Sequence, residues 1–193
     1  MTPFAVIRHL PTSWNETGRL QGRRDVPLTA DPPCLGRLPR ELDGFRWLSS
    51  PLRRAVETAL ALGIAEPGIE PRLVEMSWGQ WEGMSLAELR ARLGPQMAAV
   101  ESRGLDFRAP GGESPRDVQA RLAPLLAELA DRGEPTGAVT HKGVIRAILA
   151  LASGWDMQGK PPCRLRWDAV HLFHLDSRGR PAVERLNLAV TPR

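Results

Sequence analysis

Lysine is nearly missing from this chain: Lys142 and Lys160 are the only two, so almost all of the 26 basic residues are arginine. Set against 22 acidic residues, they leave a formal charge of +4. Arginine suits planar, bidentate recognition of phosphate or carboxylate. A GC-rich genome that prefers arginine codons explains the same bias equally well. No run of basic residues interleaved with aromatics occurs, which leaves nucleic-acid binding unsupported. Cysteine is scarce too. Cys34 and Cys163 are the two present, and no spacing suggests zinc or a redox pair. The expectation is free thiols in a cytoplasmic protein. Nothing approaches the ~20 apolar residues of a membrane span, so no membrane partner is expected. The start, MTPFAVIRHL, has no basic segment and only a short apolar run. It reads as a buried strand and not as a signal peptide. Internal repeats and low-complexity segments are also absent.

What is present is an alternation of short β-prone runs and amphipathic stretches. With 193 residues the chain suits one domain, residues 1–193, around a single core. Residues 4–8 read as a strand ending in Arg8-His9. Residues 10–32 are polar and rich in Gly, Pro and Thr, and read as a long loop of the kind that is uncommon unless functional. Residues 46–50 suggest a second strand. Ser50 is placed to cap the helix that follows, with Pro51 in its first turn and Gly63 as its stop. Residues 85–94 suggest a helix with Ser85 and Glu88 as a capping box. A longer helix over 115–132 opens at Ser114-Pro115. Residues 137–140 read as a strand leading into His141, then a helix to Gly154. Residues 169–175 and 181–188 read as closing strands. The pattern predicts a three-layer α/β/α sandwich with a largely parallel sheet.

His9 and His141 each follow a short strand, at the end where open α/β sheets place ligands. His171 and His174 fall in one apolar strand on opposite faces and read as packing residues. Arg8 adjoins His9, and Arg53 or Arg54 begins the helix after Pro51. A phosphoryl group in flight spreads charge over three oxygens, and arginines near a strand-end histidine answer that charge.

Five segments in order resemble the histidine phosphatase superfamily, the group that includes the cofactor-dependent phosphoglycerate mutases. They are VIRHLPTSWNETGRLQGRRDVPLT, SSPLRRAVETA, EMSWGQWEGMS, PGGESPRDVQAR and AVTHKGVIRAIL. The resemblance implies a phosphoglycerate mutase-like fold and a nucleophilic His9 that becomes phosphohistidine. It implies phosphate contacts from Arg8, Arg54 and His141. Arg54 is chosen over Arg53 because it directly precedes the alanine. Glu75 matches the acid that protonates the leaving oxygen, with Glu82 as its rival. Asn15 and Gln21 fall in the stretch that touches phosphate or substrate. No metal and no cofactor are implied. An imidazole accepts a phosphoryl group when one nitrogen is free and the other N–H is held. An acidic Glu75 must be desolvated or near negative charge.

The chain departs from that pattern at Leu10, where the family usually has glycine, at Pro11, and at Lys142, where a small residue is common. Leu10 requires an ordinary backbone conformation or strain. Lys142 adds charge near the site or faces solvent. Glu113 reads as a binder of backbone N–H groups before a helix start. Trp78 and Trp81 line a pocket or pack. The implied substrate is a small phosphomonoester, hydrolysed by a phosphatase; a mutase-type phosphotransferase is the alternative. The short segment from Glu82 to Glu113 favours hydrolysis, since the family's glycolytic mutases are usually longer there. An α-ribazole phosphatase is a narrower reading with no distinct mark. A non-catalytic phosphate sensor would need a lost site residue, and none is lost. The oligomeric state stays open, with a homodimer compatible.

Overall fold

A computed structural model of the chain describes residues 1–30 and 36–190. Cys34 lies outside the described residues; Cys163 is a half-buried free thiol. Six strands form one sheet: β1 (Thr2–Arg8), β2 (Arg46–Ser49), β3 (Gly68–Ile69), β4 (Thr136–Thr140), β5 (Ala169–Leu175) and β6 (Pro181–Ala189). The helices are α1 (Ser13–Glu16), α2 (Arg53–Ala61), α3 (Leu86–Leu93), α4 (Pro95–Glu101), α5 (Pro115–Arg132) and α6 (Lys142–Ser153). None of them is long and apolar enough to cross a membrane.

The strand order is β3-β2-β4-β1-β5-β6. The first four strands of that order run parallel, and β5 and β6 continue the sheet antiparallel. The sheet is therefore largely parallel, with an antiparallel edge. Its central strand is apolar on both faces, as a strand covered by helices on both sides must be. Phe4 and Val6 point into a core with Leu122 and Leu126 of α5 and Ile145 and Ile148 of α6. Ala5 and Ile7 point the other way, onto Ala55 and Ala59 of α2. These two cores make the three layers. A third cluster, Trp81, Leu89, Met97 and Ala109, sits beneath the α3–α4 pair.

Local chemistry sets several boundaries. Ser85 with Glu88, and Ser114 with Asp117, form reciprocal capping boxes at the starts of α3 and α5. Ser50 does not cap α2: that helix begins at Arg53, and its cap residue Leu52 offers no side-chain bond. The Ser50 hydroxyl is engaged across the sheet instead. The long loop is not wholly irregular, because Thr12 and Asn15 build a capping box around the short α1. The short β3 and the helix α4 carry too little periodic signal to read from sequence. Gly94, at φ +52°, turns the chain directly from α3 into α4.

Parallel pairing has one consequence for function. The carboxyl ends of β1, β2 and β4 lie at one edge of the sheet. Arg8-His9, Ser50 and His141 leave from that edge together. Backbone bonds extend the ladder one step past the strands, from His9 N to Thr140 O at 2.9 Å and from Ser50 N to Val139 O at 3.0 Å.

Candidate active site

A cavity of about 540 Å³ opens at this edge, and Arg8, His9, Asn15, Gln21, Arg54 and Glu75 line it. His141 does not line it. Its fully buried ring stands against His9, with centroids 5.1 Å apart.

The nearly buried His9 is fixed by the residue after it. Its Nδ1 lies 2.6 Å from the Leu10 carbonyl oxygen. A carbonyl can only accept, so Nδ1 carries the proton and Nε2 holds the lone pair. Leu10 achieves this with ordinary backbone: among described non-glycine residues, positive φ occurs only at Met157 and Asn187. Its N–H donates to Thr58 Oγ1 at 2.8 Å, and that hydroxyl donates to Arg54 O at 2.7 Å. The leucine in place of glycine is thus accommodated without strain, buried and held. Burial, with Arg8 and Arg54 nearby, keeps the His9 pKa well below its usual 6.5, so the ring is neutral at pH 7.

Arg54 is fully buried in α2. Its two terminal nitrogens donate to Arg24 O at 2.7 Å and Gly22 O at 2.8 Å. Its Nε and that of Arg8 have no partner. Arg53 instead pairs with Glu57 one turn along, at 2.7 Å, on the exposed face. Burial lowers the pKa of both Arg8 and Arg54, but guanidinium groups remain charged in proteins.

Glu75 is buried, and burial raises its pKa against the pull of the Met76 and Gly143 amides and of Arg54 and Arg8. Its Oε1 accepts from Met76 N at 2.8 Å and Gly143 N at 3.1 Å. Glu82 is used otherwise: its Oε1 accepts from Arg23 N at 3.0 Å and Trp78 N at 3.2 Å. It holds the loop and does not line the cavity.

His141 Nε2 lies 2.7 Å from Ser50 Oγ, while its Nδ1 has no partner. Leu52 N donates to the same hydroxyl at 3.3 Å, which still has a proton to give and a second lone pair to offer the imidazole. With the Ser50 hydroxyl as donor to Nε2, Nδ1 carries the hydrogen and is an unspent donor. Burial, with His9 and Arg54 next, lowers this pKa as well. Gln21 is buried with its carbonyl oxygen unpartnered. The Asn15 side-chain oxygen is spent on Thr12, accepting from its N–H at 3.1 Å.

Three residues hold this constellation, and sequence reasoning gave none of them a place in the site. Ser50 orients His141. Gly143 lies so close to Glu75 that a Cβ there would sit 2.5 Å from Oε1. Arg121 of α5 donates to Arg72 O, to Val74 O at 2.6 Å and to Glu113 at 3.0 Å, tying down the segment that carries Glu75. Glu113 also accepts from Ser77 N at 2.9 Å, the backbone-binding use its position suggested. Trp78 lines the cavity, whereas Trp81 is core. His171 is buried, and His174 pairs with Glu184 at 2.8 Å. Among the described residues no group of three or more His, Cys, Asp or Glu side chains is placed to hold a metal.

Residues 4–189 match the model of the histidine phosphatase superfamily, branch 1. The chain belongs to that superfamily. This histidine phosphatase is 32% identical over 205 residues to a 2,3-bisphosphoglycerate-dependent phosphoglycerate mutase of Methylobacterium radiotolerans, covering 97% of this chain and 91% of the relative. It is 34% identical over 166 residues to a glucosyl-3-phosphoglycerate phosphatase of Mycobacterium tuberculosis, covering 76% and 73%. A solved mycobacterial glucosyl-3-phosphoglycerate phosphatase, complexed with VO3, superposes with a TM-score of 0.79 at 26% identity, covering 98% of this chain and all of that one. The relative named a mutase is matched along nearly its whole length, so the compactness of this chain does not by itself favour hydrolysis.

Proposed function

We propose that this histidine phosphatase is a single-domain, metal-independent phosphomonoester hydrolase that works through a phosphohistidine on His9 Nε2. The observation that carries this reading is the Leu10 carbonyl on His9 Nδ1. It fixes the neutral tautomer and leaves the lone pair on Nε2. In the first step Nε2 attacks phosphorus. The bond to the leaving oxygen breaks, and that oxygen takes the bond's electron pair and the Glu75 proton. In the second step water attacks, Glu75 takes a proton back, and the P–N bond breaks with its pair returning to Nε2. Arg8, Arg54 and the Nδ1–H of His141 answer the charge on the equatorial oxygens. Gln21 and Asn15 border the phosphate. The phosphorylated ring would be cationic, and the Leu10 carbonyl stabilises that charge. The raised Glu75 pKa supports it over Glu82 as the acid, and bound phosphate would raise it further.

A second reading is a mutase-type phosphotransferase, favoured by the matched relative of that name. One assay separates the two. Incubation with 3-phosphoglycerate and a 2,3-bisphosphoglycerate primer is followed for inorganic phosphate and for 2-phosphoglycerate. Release of phosphate from a panel of monoesters, lost in His9→Ala, is the expected result. Formation of 2-phosphoglycerate faster than phosphate release would establish the mutase.

A further inference from the structure

Beside the His9 cavity lies a second hollow of about 270 Å³. Lys142 and Arg146, one turn apart on α6, line both spaces and form the ridge between them. Arg164 lines the far side, and no Asp or Glu is among the hollow's described lining residues. Neither Lys142 nor Arg146 makes an ion pair or hydrogen bond with a described residue. Each instead faces an indole: Lys142 Nζ is 5.2 Å from the Trp167 ring centre, and the Arg146 guanidinium is 5.0 Å from that of Trp155. Like charges at this helical spacing repel, and aromatic faces relieve that only in part. The wall is built and not merely draped. Asn187 accepts from Arg166 N at 2.6 Å and donates to Arg164 O at 2.9 Å, while Trp155 Nε1 donates to Gln158 O at 3.0 Å. Other arginines of the molecule do pair with carboxylates, as Arg166 does with Asp168 and Arg116 with Asp106. Here three cations are held together with none.

We propose that this hollow is a second anion-binding subsite, formed by Lys142, Arg146 and Arg164 against Trp155 and Trp167. It takes a carboxylate or second phosphate carried on the leaving group of a doubly anionic phosphomonoester. The inference rests on the hydrolase reading, since it needs the reacting phosphate at His9. It gives Lys142 a use: the lysine selects the substrate by charge at the cavity's inner rim.

The test is isothermal titration of the intact protein at low salt with three non-hydrolysable phosphonates: propylphosphonate, 3-phosphonopropionate and propane-1,3-bisphosphonate. The two doubly anionic probes bind at least about tenfold more tightly than propylphosphonate. That advantage falls below about threefold in Lys142→Gln/Arg146→Gln. It also weakens in Arg164→Gln, whose exposed side chain leaves the core untouched. A larger gain for 3-phosphonopropionate assigns a carboxylate, and one for the bisphosphonate a second phosphate. Equal affinities for all three probes, or an advantage unchanged in both variants, overturn the subsite and leave the His9 chemistry standing. Binding of none of them overturns the phosphate pocket together with the subsite.

Discussion

Gly143→Ala isolates the proposed acid without unfolding the protein. A Cβ at residue 143 would lie 2.5 Å from Glu75 Oε1 and 3.2 Å from Met76 Cβ. Such contacts open to at least 3.0 Å and ordinarily to 3.4 Å, so the carboxyl must retreat by about 0.5–1 Å. The move breaks the bonds from Gly143 N at 3.1 and 3.3 Å. A displacement of ~1 Å costs on the order of 10²-fold in rate, within the ~10²–10⁴-fold expected of general acid catalysis. The backbone offers no resistance, because Gly143 is helical and outside the set of positive-φ glycines. Alanine itself favours the helix by up to ~1 kcal/mol, which offsets part of the lost bonding. The assay compares two leaving groups. For an alkyl phosphate the departing alkoxide needs a proton, and kcat/KM falls about 10²-fold. For p-nitrophenyl phosphate the phenolate leaves unaided, and the fall is less than about tenfold. Equal losses on both substrates, with a normal melting curve, would refute the assignment of Glu75 as acid.

Other perturbations test other joints of the same site. In the proposed mechanism His9 acts when neutral, with its pKa held below 6.5, and Glu75 when protonated, with its pKa held above 4.5. The acid limb of kcat/KM therefore lies below pH 6.5 and belongs to His9, and the alkaline limb belongs to Glu75; Glu75→Gln removes the alkaline limb, and a limb that persists counts against the assignment. Ser50→Ala leaves His141 Nε2 without its partner and lowers kcat/KM about tenfold, with a stability loss of ~1–3 kcal/mol by urea titration; unchanged kinetics would show that His141 needs no such orientation. Burial lowers the His171 pKa from 6.5 to about 4. The unfolded chain then binds the extra proton first, so stability is full above pH 6.5 and falls as pH drops towards 4. At pH 5 this residue costs about 2 kcal/mol relative to pH 7, and His171→Gln shrinks the measured pH 7 to pH 5 difference by that amount. An undiminished difference would place the acid sensitivity elsewhere. Arg121→Met releases the Arg72 and Val74 carbonyls and leaves Glu113 with one cation fewer. It destabilises by about 2 kcal/mol, less than a fully buried pair because both side chains are partly exposed. The alkyl phosphate rate falls with it; full activity would mean that Glu75 needs no such tether.

Much of this architecture was legible in the residues, and the exceptions have physical causes. The strands ending at Arg8 and Thr140 were readable because their apolar runs are short and bounded by polar residues. The helices α3 and α5 were readable because their caps are local in sequence. Ser50 was misread for a reason of scale. A serine before proline is a good local cap, but the bond it makes joins β2 to β4, some ninety residues apart, and no local signal contains that. Gly143 stood in the resembling segment after His141, yet its use depends on Glu75 arriving from another loop. Arg121 looks like any helical arginine until the 72–77 segment is laid across it. Leu10 raised the question of strain correctly. The answer, ordinary backbone with its N–H on Thr58, depended on the packing of α2 against β1. Lys142 could not be placed in the cavity or in solvent from sequence, because Trp167 reaches it from the far end of the chain.

The central claim is that phosphate passes through Nε2 of His9. Rapid quenching of the enzyme with a ³²P-labelled monoester, followed by mapping of the labelled peptide and ³¹P NMR of the phosphoprotein, tests it directly. The account predicts an acid-labile, base-stable phosphate on His9, attached through Nε2 because Nδ1 is held by Leu10, formed and consumed at the rate of turnover. Turnover without labelling, or label on His141 or on Nδ1 of His9, would contradict it.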